Sequence, residues 1–388
     1  MGPEASKDKI FVKDFTLTFS ASLLFLSVTN LLMPVVPLYV LAIGGNDGEM
    51  GVIVAAYYFM TLASRPLAGR WIARVGTARL MRLSAGALCL SIFAYLLASE
   101  PTSMLAVRVA HGATMGLYST SANTLVTYLA PARRRGETMS FYSLAITVSQ
   151  AVGPALGIFI MSATTFNGLF VTVSLLAIVP AFLVCPVDPA GKQRPTSRQA
   201  GSFLSRAALL PSFGAFVGFF AVGPAVSYVP AYAMKRGLGN PGLFFTAYAL
   251  AALLVRLAGG RLSDVFGRTR IVVPANLLVC ASMLWLSVAV GAWSLLGVGA
   301  AFGVANGLLY PPLAAQAIDR SSPEERGSAM ATFLGSMELG IALGATLAPF
   351  IAAELSVSAV WVVAGFVALL GAAVYTREAW RERPVAAT

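Results

Sequence analysis

The chain has 388 residues, a formal net charge of +11, 57% hydrophobic residue types and only 11% charged residues. Soluble domains contain about 45–50% apolar and about 25% charged residues, so a water-soluble fold of this composition would lack the polar residues to cover its surface. The composition therefore excludes a soluble enzyme and a disordered chain, and it indicates a protein surrounded mostly by lipid. The basic residues lie in short gaps between apolar segments, which is typical of membrane topology, and we expect no nucleic-acid partner.

Twelve apolar segments are each long enough to cross a bilayer core of ~30 Å. Backbone groups in lipid must be paired within the segment, so we expect all twelve to be helices of an all-α polytopic membrane protein. The predicted spans are 15–43, 49–72, 79–99, 101–129, 137–163, 166–186, 204–234, 241–264, 270–291, 293–319, 324–352 and 355–377.

The longest polar run inside the chain, Asp188–Gln199, divides these spans six and six. It predicts an N-terminal six-helix bundle at 1–187, a cytoplasmic linker at 188–203 and a C-terminal six-helix bundle at 204–388. Of the 27 Lys and Arg residues, we assign 22 to the terminal segments and to the even-numbered loops with the span ends that adjoin them, two to odd-numbered loops and three to the interior of spans. Because basic residues are enriched on the cytoplasmic side, both termini should be cytoplasmic, and we expect the bacterial inner membrane.

The residue types present argue against several classes of chemistry. The three cysteines, Cys89, Cys185 and Cys280, lie in or beside apolar segments without paired spacing, so we expect them to be packing residues. His111 is the only histidine, which excludes a multi-histidine metal site, and the chain has no GxxxxGK[ST] phosphate loop. With no nucleophile–base pair or cofactor fingerprint, the sequence predicts neither an enzyme nor a cofactor.

The two halves of the chain repeat one another. The segment 65–79, RPLAGRWIARVGTAR, recurs 191 residues later at 256–270 as RLAGGRLSDVFGRTR. In the fourth and tenth spans we pair His111-Gly112 with Asn306-Gly307, which lie 195 residues apart. The repeats predict two pseudo-symmetric six-helix bundles, and parallel halves of this kind suit a transporter that works by alternating access.

The segment after the eighth span resembles the loop signature of the major facilitator superfamily, G-x-x-x-D-[RK]-x-G-R-[RK]. The chain matches this signature with Gly260, Asp264, Gly267 and Arg268. The resemblance implies a twelve-helix transporter in which Asp264 and Arg268 latch the two halves together, while the glycines allow a tight turn and close helix approach. Simple topology charge combined with turn chemistry is the alternative.

The copy of this signature after the second span is degraded. It keeps Gly69, Arg74 and Gly76 but has Ala73 where the family has Asp. The difference predicts a weaker lock in the N-terminal half, or a lock carried by the C-terminal copy alone.

The fifth span contains Gly153-Pro154-Ala155-Leu156-Gly157. This element resembles the G-P-x-x-G motif of the family's twelve-helix drug or metabolite:proton antiporters, and the resemblance implies export. Proline removes a hydrogen bond inside a helix and glycine permits close contact, so we expect Gly153, Pro154 and Gly157 to kink and pack this helix.

The fourth span carries most of the candidate substrate residues. Its Arg108-Val-Ala-His111-Gly112 is similar to the family's R-x-x-Q-G, with histidine in the place of glutamine. A charge is costly in lipid, so Arg108 should face the bundle interior and bind an anionic group or control a proton site; snorkelling to the outer interface is the alternative. His111, Met115 and Tyr118 continue the same face as a cavity wall, although Met115 also suits plain packing.

Glu338 is the only acidic residue that we place in the middle of a span. It should be protonated or paired with a cation there, which makes it the first proton-coupling candidate, with His111 the second. A structural hydrogen bond is the alternative role for Glu338. Asn30 and Asn306 should cross-link helices and are further candidates for substrate contact, whereas Asp319 should be solvated near a cytoplasmic end.

The sequence therefore predicts a monomeric secondary transporter, first of all a proton-coupled exporter of small amphipathic drugs or metabolites. Its partners would be the small-molecule substrate, protons and the lipid bilayer. The alternative is a facilitator, importer or flippase-like transporter of an organic anion, sugar or lipid, which Arg108 and the scarcity of acids within the spans favour.

Overall fold

The computed structural model describes residues 12–131, 134–187, 205–322 and 325–381. Within these ranges, only the backbone is described for the following helical residues: 135–137, 140, 147, 151, 256–266, 327 and 381. The regular secondary structure of the described ranges is entirely helical. The chain forms two compact units, one from the described parts of Met1–Glu49 and Ala56–Gln199, the other from those of Met50–Ala55 and Ala200–Thr388.

The helices of the N-terminal half begin at recognisable sequence signals. Asn46 and Glu49 form a capping box at one helix start, and Pro101 occupies the first turn of another, which follows Glu100. In chain order the helices are α1 Lys13–Leu32, α2 Val35–Ala42, α3 Asp47–Val75, α4 Thr77–Phe93 with the 3₁₀ turn Ala94–Leu97 after it, α5 Pro101–Leu129, α6 Arg135–Ala163 and α7 Phe166–Leu183.

The C-terminal half repeats this order of helices. A 3₁₀ turn at Arg206–Ala208 precedes its first helix. The helices are α8 Leu209–Phe220, α9 Val222–Lys235, α10 Gly242–Phe266, α11 Arg268–Ser287, α12 Gly291–Asp319, α13 Arg326–Glu354 and α14 Val357–Arg381.

Helices of the described residues account for all twelve predicted spans. Ten spans are long and apolar enough to cross a membrane by length and composition. The other two predicted spans are α5 and α10, and α10 has a shorter apolar stretch at Gly242–Val255. The predicted linker, 188–203, lies outside the described residues, so the predicted domain boundaries stay predictions.

The first and seventh predicted spans each consist of two helices, an interruption that the prediction did not include. The first breaks between α1 and α2 at Met33 and Pro34, and the seventh breaks between α8 and α9 at Ala221, three residues before Pro224. Proline has no N–H to donate to the carbonyl four residues earlier, and its ring crowds that carbonyl. Each half therefore opens with an interrupted helix.

Glycines on α6 and α13 bring these helices against the backbone of the interrupted ones. A Cβ added at Gly157 would collide with the carbonyl of Leu31 on α1, and one added at Gly344 would collide with the carbonyl of Phe220 on α8. The predicted close contact of Gly153 and Gly157 is therefore confirmed. Helix α6 continues through Pro154 without interruption.

The packing of α5 and α12 corrects the predicted register of the repeat. Gly112 of α5 packs against the carbonyl of Tyr57 on α3, and Gly303 of α12 packs in the same way against Tyr248 on α10. Both pairs are 191 residues apart, as in the loops. Pairing Gly112 with Gly307 at 195 residues was therefore wrong by about one helical turn, because glycines recur at four-residue spacing on both helices.

Candidate functional site

A cluster of polar side chains is enclosed within the N-terminal unit, between α1, α3, the 3₁₀ turn after α4, and α5. Its two basic members, Arg108 and His111, are each 0% exposed. Arg108 thus faces the interior of its unit as predicted, and the snorkelling alternative is wrong. Residues three apart on a helix share a face, which places Arg108 and His111 side by side on α5.

The imidazole of His111 is held from both of its nitrogens. Nδ1 lies 2.9 Å from the hydroxyl of Tyr95, and Nε2 lies 3.2 Å from Oγ1 of Thr29. The ring also packs against Tyr57, with centroids 5.1 Å apart. His111 therefore joins α5 to α1, to α3 and to the 3₁₀ turn after α4.

The guanidinium of Arg108 is held by the same groups. Its Nη1 donates to the Tyr95 hydroxyl at 3.3 Å, and its Nη2 lies 3.9 Å from the sulfur of Met33, the residue at the break in the first span. Its Cζ lies 4.7 Å from the centre of the Tyr57 ring, a cation–π contact that is strongest where water is excluded. An aromatic face and a shared phenol thus surround a charge that is costly in lipid.

A second polar layer lies two turns further along α5. Tyr118 lies 3.1 Å from Oγ of Ser22, which also accepts a hydrogen bond from Tyr142 at 2.9 Å. Met115 and Tyr118 are buried within the unit, 4% and 1% exposed. The predicted wall of Arg108, His111, Met115 and Tyr118 is therefore one buried face of α5, and its contact with substrate stays a prediction.

The two asparagine candidates differ in what they contact. Asn30 on α1 is half-buried and donates to Ser149 on α6 at 3.4 Å, so the predicted cross-link between helices is confirmed there. Asn306 on α12 is fully buried and donates to the carbonyl of Phe302 on its own helix. Its Oδ1 has no partner among the described residues.

The acidic candidates lie in the C-terminal half. Glu338 is half-buried in the middle of α13, so its predicted position within a span holds. Asp319 is more than half exposed at a helix end, as predicted, and it also forms an ion pair with Arg268. Arg268 begins α11 and Asp319 ends α12, and this placement lets the two charges meet at the helix ends.

The predicted gating residues of the two loop signatures differ in their local surroundings. Gly76 and Gly267 have φ of +85° and +86° and make the tight turns between α3 and α4 and between α10 and α11, as predicted. Gly69 lies inside α3, where an added Cβ would meet no described atom within 4 Å, so the close helix approach expected there is not found. Arg74 is exposed, whereas the surroundings of Gly260 and the side chain of Asp264 are outside what the structure describes.

Sequence reasoning missed the residues that connect the cluster. Tyr95, Thr29 and Tyr57 each contact His111, yet none of the three belongs to a motif. Tyr95 lies near the end of a span, where a tyrosine is equally typical of an interface anchor. No signal in the sequence distinguishes these roles.

Two repeated units of long apolar helices define a multi-pass integral membrane protein, and the first unit encloses a buried arginine and a buried histidine. The model of the Major Facilitator Superfamily matches residues 17–244 and 240–388, and the chain belongs to this family. The match confirms both the resemblance stated from the motifs and the predicted fold.

The chain is similar to curated transporters along most of its length. It is 25% identical over 351 residues to the staphylopine export protein of Staphylococcus aureus, covering 86% of this chain and 88% of that protein. It is 27% identical over 343 residues to an uncharacterized MFS-type transporter of Burkholderia mallei, covering 84% and 82%.

Solved transporter structures share the fold at low sequence identity. A crystal structure of a peptide transporter POT has a TM-score of 0.80 at 14% identity, covering 95% of this chain and 94% of that chain. A crystal structure of the nucleoside transporter NupG has a TM-score of 0.76 at 12% identity, covering 94% and 99%.

Proposed function

We propose that the protein is a proton-coupled exporter, which moves small amphipathic drugs or metabolites out across a bacterial cytoplasmic membrane by alternating access. The observation that carries the proposal is the fully buried arrangement of Arg108 and His111 on α5. Ionisable groups within spans are costly, and they mark substrate or proton pathways. We propose further that the protein works as a monomer with both termini in the cytoplasm, in line with its distribution of basic residues.

Two observations support the direction of transport. The staphylopine export protein, a relative along most of the chain, is named for export. The element Gly153–Gly157, which resembles the motif of the family's antiporters, packs Gly153 against Asn30 and Gly157 against the carbonyl of Leu31, immediately before the first span breaks. Because glycine has no side chain, α1 could slide along α6 at these two positions without being blocked by a side chain of α6.

Glu338 and His111 are the proton carriers in this proposal. Glu338 is half-buried in the middle of α13, and His111 is enclosed with Arg108 in the N-terminal unit. A proton that falls through the membrane potential supplies ~2.3 kcal/mol per 100 mV. Protonation of one of these groups in competition with substrate binding would turn that energy into export.

The test uses purified protein in proteoliposomes with an acidic interior and a pH-sensitive dye inside. A thermal-shift screen at two pH values first selects compounds that stabilise the protein. We expect a selected compound, added outside, to release protons from the vesicles. Failure of every stabilising compound to move protons would overturn the proposal.

Glu338→Gln tests the acidic carrier and has a matched control on the same helix. We expect it to keep compound binding in the thermal-shift assay and to slow proton-driven transport at least about tenfold. Glu354→Gln changes an exposed acid at the end of α13 and should transport at the wild-type rate. Wild-type transport by Glu338→Gln would remove Glu338 from the mechanism.

Arg108 also favours a second function, the facilitated movement of an organic anion. A buried guanidinium is suited to pairing with a carboxylate or phosphate. Counterflow of a labelled anion, in the absence of any pH gradient and without proton release, would favour this function over proton-coupled export.

A further inference from the structure

The hydroxyl of Tyr95 lies between the two basic side chains of the buried cluster, Arg108 and His111. It lies 3.3 Å from Nη1 of Arg108 and 2.9 Å from Nδ1 of His111, and all three side chains are 0% exposed. Tyr95 belongs to the 3₁₀ turn after α4, whereas the other two belong to α5. One hydroxyl group therefore makes two contacts from a separate element.

The direction of each hydrogen bond follows from what the groups can donate. An arginine N–H only donates, so the phenol oxygen accepts from Arg108 and its own hydrogen is available to Nδ1 of His111. In a neutral imidazole one nitrogen accepts and the other donates. Acceptance at Nδ1 leaves the ring proton on Nε2, which faces Oγ1 of Thr29 at 3.2 Å.

The opposite tautomer fits these contacts less well. Nδ1 would then donate to the phenol oxygen, which would accept twice, and the phenol hydrogen would have no acceptor among the described residues. With the proton on Nε2, it is instead the hydroxyl hydrogen of Thr29 that has no acceptor among the described residues. An aliphatic hydroxyl is the weaker donor, and accepting from a charged guanidinium strengthens donation by the phenol. The shorter contact, at Tyr95, agrees with the first arrangement.

We propose that Tyr95 is a positioning residue that holds His111 as the neutral tautomer with its proton on Nε2. The described groups that face His111 are Tyr57 from α3, Tyr95 from the 3₁₀ turn, Arg108 on α5 and the Thr29 hydroxyl from α1. None of them is a carboxylate. A proton added at Nδ1 removes the acceptor of the Tyr95 hydroxyl and leaves the phenol oxygen facing two cationic donors.

A consequence for transport follows, and this part rests on the proposed function. When His111 gains a proton, its hydrogen bond with Tyr95 must reverse or break. That bond joins the 3₁₀ turn after α4 to α5. Tyr95 thereby converts a proton at His111 into a change in the contact between two helical elements.

A single histidine in the chain allows a direct spectroscopic test. The full-length protein, freed of affinity-tag histidines, is labelled with ¹⁵N-histidine and placed in lipid bilayers at neutral pH for solid-state NMR. We expect an acceptor-type signal for Nδ1 and an N–H signal for Nε2, with this tautomer favoured about fivefold or more, the ratio that one net hydrogen bond supplies. Equal populations, the opposite tautomer or a doubly protonated ring would overturn the proposal.

Three variants identify the group that sets the tautomer. Tyr95→Phe removes the hydroxyl and should bring the two tautomers to within about twofold of each other. Thr29→Val should keep the wild-type preference, and so should Tyr142→Phe, which removes a buried hydroxyl bonded to Ser22 instead. A wild-type spectrum from Tyr95→Phe, or a reversed tautomer in Thr29→Val, would overturn the role of Tyr95. If Tyr95→Phe does not fold, the wild-type and Thr29→Val spectra still decide.

The spectrum and the transport assay fail independently. The predicted tautomer without proton-driven export would overturn the proposed function and leave the role of Tyr95 standing. Proton-driven export with the opposite tautomer would overturn the role of Tyr95 alone.

Discussion

The two halves of the molecule use the same backbone packing to hold different side chains. At the 191-residue offset, Tyr57 corresponds to Tyr248, and the glycines that pack against them also correspond. One residue before each of these glycines, the N-terminal half has His111 and the C-terminal half has Phe302. The ring of Phe302 packs against the rings of Phe244 and Tyr248, with centroids 6.2 Å and 5.5 Å away.

The position of Arg108 extends this contrast. Its counterpart at the same offset is Gly299, which packs against Phe244 on α10. A charged and hydrogen-bonded cluster in one half thus corresponds to an aromatic stack in the other. Both halves have the same backbone packing at this position, but the N-terminal half has the charged and polar side chains of Arg108 and His111, which are costly in lipid, where the C-terminal half has Gly299 and Phe302.

The largest expected effect tests the shared packing. Gly112→Val and Gly303→Val each force a side chain onto a backbone carbonyl, and each should lower the free energy of unfolding by about 3 kcal/mol or more. Thermal denaturation in detergent measures the loss. Gly86→Val is the matched control, because an added Cβ there meets no described atom within 4 Å. A stable variant in one half only would show that the two packings are not equivalent.

A reciprocal exchange at the paired position tests the divergence. Phe302→His places a polar ring among aromatic rings and should lower the free energy of unfolding by about 2 kcal/mol. His111→Phe leaves the Tyr95 and Thr29 hydroxyls without their partner and should cost about 1–3 kcal/mol. Proton-driven transport per folded molecule should be lost in His111→Phe and kept in Phe302→His. Loss in both would mean that the aromatic stack also serves transport.

A conservative change at Arg108 sharpens the comparison further. Arg108→Lys keeps the charge, but an ammonium cannot lie flat on Tyr57 and also reach Tyr95 as a planar guanidinium does. The initial rate of export should fall about tenfold, which is ~1.4 kcal/mol. Arg70→Lys, at an exposed position of α3, should keep the wild-type rate. An unchanged rate for Arg108→Lys would leave charge alone as the requirement.

The smallest expected effect concerns charges at helix ends. Arg320 on the C-terminal side of α12 pairs with Glu378 on α14 at 2.6 Å, and Arg320 is about a third exposed. Such pairs contribute about 0–1 kcal/mol, so Arg320→Ala should barely change the denaturation midpoint. A large loss of stability would mean that an exposed ion pair in the C-terminal half matters as much for stability as the buried charge in the N-terminal half.

Local sequence signals predicted much of the fold. The bounds 101–129 agree with the observed α5, because Glu100 and Pro101 mark its start and an apolar pattern continues to Leu129. The broken first and seventh spans were missed although Pro34 and Pro224 are visible in the sequence. Prolines also occur inside unbroken α6, so a proline by itself does not decide whether a helix stops.

The candidate site was predicted only in part. The burial of Arg108 followed from the cost of charge in lipid, which is a local rule. The partners of His111 did not follow, because Thr29 and Tyr95 lie 82 and 16 residues away along the chain. Contacts at such separations depend on how helices pack, and a hydroxyl carries no local sign of its partner.

The sequence by itself determined that lipid surrounds most of the protein, how many spans there are, and that the two halves repeat one another. Each of these is a property of composition or of spacing along the chain. The tertiary structure decided the register of the repeat, the breaks in the first and seventh spans and the partners of Arg108 and His111. The physical reason is that apolar length suffices for a segment to enter lipid. Hydrogen-bond partners are set instead by side chains that meet across helices, and glycines at four-residue spacing allow more than one register until the backbones touch.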